Sequence, residues 1–221
     1  MSFLNKSAAS AAFVLALLHA PAAASDDGFE FWLNPSTSFE LDNDTGLEIE
    51  TAQRFRDALD GRADTYFGRL WLNQDLSEAV TLSGAVERRI NDGGDDETRL
   101  IQQLSTKHGV LRTRMRLEQR FVDGSGGRAG LRVRPRLGVA VPLGAGSPWS
   151  LEGNAELFFT IRGTSAGGNK GLTGLRTQLG ASYDLSNRVS LSLTYLRQQD
   201  IADGRPDRVG HAPLIGVELS F

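Results

Sequence analysis

The chain has 221 residues, 24 basic against 27 acidic side chains, and no cysteine. The slightly acidic balance argues against nucleic acid as a partner, and the lack of cysteine excludes a disulfide scaffold and thiolate metal sites. Beyond the N-terminal leader no stretch reaches the roughly 18–20 apolar residues of a transmembrane helix, so any membrane passage must be made by strands.

The N-terminus reads as an export signal. Lys6 supplies a positive start, residues 11–18 form an apolar core too short for a stable span, and Ala22-Ala23-Ala24 meets the small-residue cleavage rule. The expected division is a signal peptide over 1–24 and a single outer-membrane β-barrel domain over 25–221. Without Lys6 the mature chain carries 23 basic and 27 acidic residues, a net charge of −4.

Alternation dominates everything that follows. In chain order it predicts strands at 29–41, 45–56, 64–76, 79–90, 97–107, 110–121, 129–142, 149–161, 172–185, 188–199 and 211–221. Ordinary globular strands run to about 5–6 residues, whereas a tilted strand crossing a bilayer needs about 9–11; these run to 11–14, enough for a crossing. Short connections at 42–44, 76–78, 107–109 and 185–187 alternate with longer polar ones at 57–63, 91–96, 122–128, 162–171 and 200–210. Residues 142–148 are a longer member of the short set. Short periplasmic turns facing longer external loops are the arrangement of bacterial outer-membrane barrels.

The sixth strand shows the logic best. Leu111, Thr113, Met115, Leu117 and Phe121 share one parity, and Arg112, Arg114, Arg116, Glu118 and Arg120 share the other. A helix would spread these charges around its circumference; a strand puts them on one face. The seventh repeats the pattern, with Arg132, Arg134 and Arg136 opposite Leu131, Val133 and Leu137, and tolerates Pro135 as an irregularity. In a membrane barrel the apolar face turns outward and the charged face lines the lumen. The expected lumen network includes Glu48, Glu50, Arg99, Arg112, Arg114, Arg116, Glu118, Arg120, Arg132, Arg134, Arg136, Glu152, Glu156 and Arg176. Arginine forks bind carboxylates through two parallel bonds, and in a narrow barrel such pairs can link facing walls. Two readings follow: the network replaces a hydrophobic core, or it walls a constricted pore that favours anions. Aromatic residues near strand ends, among them Trp32, Trp149, Tyr66, Tyr183, Tyr195 and Phe221, fit interface girdles. Trp71 and Phe67 instead have the parity of the polar face.

The last strand ends on Ile215, Val217, Leu219 and Phe221, one apolar face closed by a terminal aromatic. That ending resembles the C-terminal signal read by the outer-membrane assembly machinery. The expected partners are therefore that machinery and outer-membrane lipids, for a monomeric chain in a Gram-negative outer membrane.

Two runs carry a family resemblance: Glu97-Thr98-Arg99-Leu100-Ile101-Gln102-Gln103-Leu104, and Arg112-Thr113-Arg114-Met115-Arg116-Leu117-Glu118-Gln119-Arg120-Phe121. With the early Trp32 and the element Asn154-Ala155-Glu156-Leu157-Phe158, the chain resembles the bacterial outer-membrane proteins grouped as DUF2490. The resemblance implies a barrel of unassigned role and transfers no catalytic residues.

The expected fold is all-β: a transmembrane antiparallel barrel of about 10–12 strands after a cleaved signal peptide. A closed bacterial barrel ordinarily has an even strand number and both termini on the periplasmic side, and the eleven predicted strands conflict with that. A break at Pro35 would give twelve, loss of the first strand from the wall would give ten, and a parallel seam would keep eleven.

Chemistry is sparse. His211, at the start of the last strand, is a candidate rim base with Thr164, Ser165 or an aspartate of the 200–210 loop as partner. Asp92, Asp95 and Asp96 could offer oxygen ligands to calcium, but their spacing matches no calcium loop. The sequence calls for no cofactor, no metal and no catalytic residue. The function it favours is a small structural or porin-like barrel, ahead of a lipid-modifying enzyme or a surface binding module.

Overall fold

A computed structural model describes residues 25–56, 63–202, 204 and 206–221. The segment expected to be a signal peptide, residues 57–62, Asp203 and Arg205 lie outside the described residues. Eleven strands form a closed barrel: β1 (Ser25–Glu40), β2 (Thr45–Arg56), β3 (Thr65–Ser77), β4 (Val80–Asn91), β5 (Glu97–His108), β6 (Leu111–Val122), β7 (Gly130–Pro142), β8 (Trp149–Arg162), β9 (Gly171–Ser186), β10 (Val189–Asp200) and β11 (Asp207–Ser220). The strand boundaries follow the alternation closely; β1 and β11 begin earlier than it predicts.

Ten neighbouring pairs are antiparallel, and the ring closes through a parallel pairing of β1 with β11, Trp32 opposite Leu214 and Ser38 opposite Ser220. Of the three alternatives the sequence left open, the barrel keeps all eleven strands and closes through a parallel seam. Both seam strands run from the end bearing the longer loops to the end bearing the short turns, so Ser25 and Phe221 lie at opposite ends of the barrel.

Pro35 does not split β1, and its neighbour explains why. The β1–β2 register holds on both sides of it, from Leu33 opposite Gln53 to Ser36 opposite Glu50. Proline has no N–H for the ladder. The Nδ2 of Asn34 donates instead to the Thr51 carbonyl at 2.9 Å, so that acceptor is not orphaned. Closure leaves no sheet edge, and every strand pairs on both sides.

Alternation gives the wall two unlike faces. Leu70, Leu72, Val86, Leu179 and Leu193 point outward and are exposed, while Arg69, Glu87, Arg99 and Glu118 point inward and are buried. Aromatic pairs mark both rims of the outer face. Phe31 stacks on Phe55, which meets Tyr66 edge-on, near the loop end. Phe39 stacks on Phe221 at 5.8 Å, and Trp149 packs on Tyr183 at 4.7 Å, near the turn end. From Phe31 to Phe39, strand rise of about 3.3 Å per residue at a tilt of about 40° separates the two belts by about 20 Å along the axis.

Part of the lumen is lined by small residues on β9, β10 and β11. At Gly180 an added Cβ would meet the Leu193 carbonyl oxygen and the Thr194 hydroxyl at 2.5 Å, whereas at outward-facing Gly68 it would meet nothing within 4 Å. Gly180→Val should therefore destabilise the barrel by about 1–3 kcal/mol through overpacking. Gly68→Val should leave stability nearly unchanged. Urea unfolding in detergent compares the two, and equal effects would contradict this packing.

Candidate functional site

The lumen concentrates the unusual chemistry. Glu87 and Glu118 are 0% exposed and Glu156 is 1% exposed. Carboxylates removed from water this completely need several partners, and the register supplies them.

One belt of ion pairs runs over β2 to β6. Arg69 reaches Glu50 at 2.5 Å and also bonds Glu87. Glu87 further receives Arg89 at 3.0 Å and Arg99 at 3.4 Å. Arg99 continues to Glu97 at 2.5 Å, and Glu97 takes Arg120 at 2.5 Å. A second belt runs over β6 to β9. Arg132 and Arg134 each sit 2.5 Å from Glu118. Arg134 also meets Glu156 at 2.6 Å, and Glu156 takes Arg114 and, at 3.9 Å, Arg176. Glu30 pairs with Arg56 at 3.3 Å and accepts the Trp32 indole N–H at 2.6 Å.

These bonds run sideways rather than across the lumen. Arg69 lies opposite Glu50 on one side and Glu87 on the other, Arg99 lies opposite Glu87, and Arg132 opposite Glu118. Arg114 to Glu156 skips one strand. The expectation that ion pairs strut facing walls is replaced by two lateral belts.

The contacts that reach furthest across are between guanidiniums and aromatic rings. Arg116 of β6 lies 5.1 Å from the Trp71 ring of β3, and Arg176 of β9 lies 5.2 Å from the Trp32 ring of β1. Arg54 also lies 3.9 Å from the Trp32 ring centroid. Phe67 is flanked by Arg54, Arg69 and Arg89, and Phe158 by Arg132, Arg134 and Arg176. Such contacts contribute about 0.5–2 kcal/mol each when desolvated. Each tryptophan also anchors a small apolar cluster: Trp32 with Leu196 and Ala212, Trp71 with Ala85 and Ile101. Trp32 is thus a lumen residue at 4% exposure, a correction of its assignment to an interface girdle. Trp71 and Phe67 also face inward.

Several charged groups stay outside the belts. Among the described residues, Arg54, Arg116 and Arg136 have no carboxylate within 4.0 Å. Arg116 donates twice to Gln103 Oε1, at 2.9 and 2.7 Å. Arg112 folds back on the carbonyls of Gly109 and Leu111. Glu48 and Glu152 line the cavity that remains. That cavity, of about 890 Å³, is lined by Arg114, Arg116 and Arg136 of β6 and β7, by Arg176 of β9, and by Ser182, Ser190, Ser192 and Gly216 of β9 to β11. A second cavity of about 310 Å³ opens at the loop end. Arg56, Gln198 and Asp200 line both.

Sequence reasoning omitted Glu30, Glu97 and Phe158 from the lumen. Their parity with Trp32, Arg99 and Glu156 was the available signal, since alternate residues share a face.

The other candidates find local partners. The His211 Nδ1 bonds the Tyr195 hydroxyl at 2.5 Å on the outer face; Thr164 packs near Gly130, and Ser165 lies near Gly168. Asp96 accepts from the Asn91 backbone N–H at 3.1 Å and from Arg88 at 3.0 Å, and the Asp95 carbonyl accepts from Asn91 Nδ2 at 2.6 Å. These contacts describe a loop closed on itself.

Two outcomes follow from this geometry. Glu118→Gln removes the charge from beneath Arg132 and Arg134 and should destabilise the barrel by about 3–5 kcal/mol, read as a lower urea midpoint. An unchanged midpoint would show that the belt does not stabilise the fold. Near the loop end, Arg88 bonds Asp123 at 2.7 Å and holds its carboxyl below the ordinary 3.8. A depressed acid adds its stability above the unfolded value and loses it as pH falls through the folded one. Carboxyl NMR should therefore show Asp123 titrating below 3.8, and Arg88→Gln should return it towards that value.

No curated protein matches the chain. The sequence pattern of one family does, over residues 29–209, a stretch from β1 into β11 that takes in Trp32, both ion-pair belts and Phe158. The chain belongs to the family described as protein of unknown function DUF2490.

Proposed function

We propose that this protein is an outer-membrane β-barrel that gives small anions a narrow, off-axis path beside a charged lumen filling. The inverted polarity of the wall carries the membrane reading. In water, outward Leu70, Leu72, Val86, Leu179 and Leu193 would expose a continuous apolar surface, which soluble monomers avoid. Hydrocarbon makes that arrangement favourable, and closure satisfies the backbone where no water can. The aromatic belts, about 20 Å apart, compare with the about 25 Å apolar band of outer-membrane barrels. Phe221 at the turn end fits an assembly signal read from the periplasm.

The cavity carries the path. It extends from Asp184, Ser190 and Glu218 at the turn end to Gln198 and Asp200, where it meets the loop-end cavity. Members of both ion-pair belts, among them Arg69, Arg99, Arg114 and Arg134, line it together with the small residues of β9 to β11. Twelve arginines against six carboxylates line the cavity, an excess of positive charge that favours anions.

Outer-membrane fractions should contain the protein as a heat-modifiable band. Refolded protein in a planar bilayer should pass small currents whose reversal potential in a KCl gradient reports chloride preference. Recovery in the soluble periplasmic fraction would reject the membrane reading. A heat-modifiable barrel with no current above background would reject the path and leave a structural barrel.

A further inference from the structure

We propose that the lumen holds a binding site for a divalent oxyanion of the phosphate class, made by Arg54 and Arg176 beside the Trp32 ring. The inference rests on the reading of the lumen as water-accessible.

Arg54 is the anomalous group. It is 8% exposed, its Nε has no hydrogen-bond partner, and no carboxylate of the described residues comes within 4.0 Å. The charges that act on it are chiefly the guanidiniums of Arg89, Arg176 and Arg56, opposed by Glu87. Two of those neighbours are already neutralised: Arg89 by Glu87 at 3.0 Å and Arg56 by Glu30 at 3.3 Å. Arg176 is not. Its Nε and Nη2 donate to Gln198 Oε1, a neutral acceptor, and its Nη1 stands 3.9 Å from Glu156, beyond hydrogen-bond reach. Glu156 is itself taken by Arg114 and Arg134.

Two positive charges therefore stand at one indole ring, 3.9 and 5.2 Å from its centroid, Arg54 with no carboxylate of the described residues within 4.0 Å and Arg176 with only a share of Glu156 at 3.9 Å. Burying a guanidinium without a partner is costly, and like charges brought together raise that cost. A doubly charged oxyanion removes both penalties, because guanidinium forks match its oxygens through charge-assisted hydrogen bonds. Arg54, Arg176 and Gln198 all line the 890 Å³ cavity, so the site opens to the path. The cavity is larger than an inorganic ion and lies in the range of small-molecule sites, so the oxyanion can carry an organic body. A lipid phosphate outside the wall cannot reach this position, because the closed sheet separates them.

Calorimetry on detergent-refolded protein tests the site with inorganic phosphate, glucose 6-phosphate and acetate as probes. Phosphate should bind, acetate should bind at least tenfold more weakly, and Arg54→Gln and Arg176→Gln should each lower phosphate affinity at least tenfold. Heat-modifiability verifies that each variant has folded. Arg88→Gln, on the outer face, should bind as the parent does. Tighter binding of glucose 6-phosphate than of phosphate would show that the cavity takes an ester; equal binding would assign the site to the oxyanion alone, and both support it. Absence of phosphate binding to a folded barrel, or binding unchanged in both arginine variants, would overturn the site. The readouts separate this inference from the function above: a conducting barrel that binds no phosphate loses only the site, and a non-conducting barrel that binds it loses only the path.

Discussion

A carboxylate shared among several guanidiniums, inside a wall that excludes them from bulk water, is the interaction on which this structure depends. Glu87, Glu118 and Glu156 each serve at least two arginines. A single buried pair often fails to offset its own desolvation. Shared carboxylates change the balance, because one desolvated anion meets several cations and each fork is held at two points. The filling is therefore rigid on the side of β2 to β8, and the space left over falls along the small residues of β9 to β11.

The aromatic rings solve a different problem. The ion pairs join residues of one strand, of adjoining strands or of strands one apart, so they do little across the bore. Trp32 and Trp71 are long enough to meet arginines from strands that do not adjoin theirs. The ring face accepts a cation without adding a charge. Arg54 and Arg176 can thus be held in place while their charge remains available, which a carboxylate would not allow.

The seam belongs to the same set of constraints. An odd strand number forces the first and last strands to run in the same direction if the barrel is to close. Asn34 makes that possible locally, since its side chain supplies the donor that Pro35 lacks and β1 continues unbroken. The parallel pairing then brings Leu214 beside Trp32, where it packs against the Trp32 cluster.

Period-two alternation by itself determined the strands, their lengths and the sharing of a face by Arg112, Arg114, Arg116, Glu118 and Arg120, because side-chain direction in a strand follows from local geometry. It could not determine the strand count's resolution at Pro35, since that rests on one side-chain hydrogen bond to another strand. Nor could it place Trp32: a tryptophan near a strand end suits a girdle or a lumen equally until the strand's start and parity are known. Only the tertiary structure decided which carboxylate each arginine meets, and which arginines meet none. Those outcomes depend on register between strands far apart in the chain, and a shift of one residue would have turned every charge to the other face.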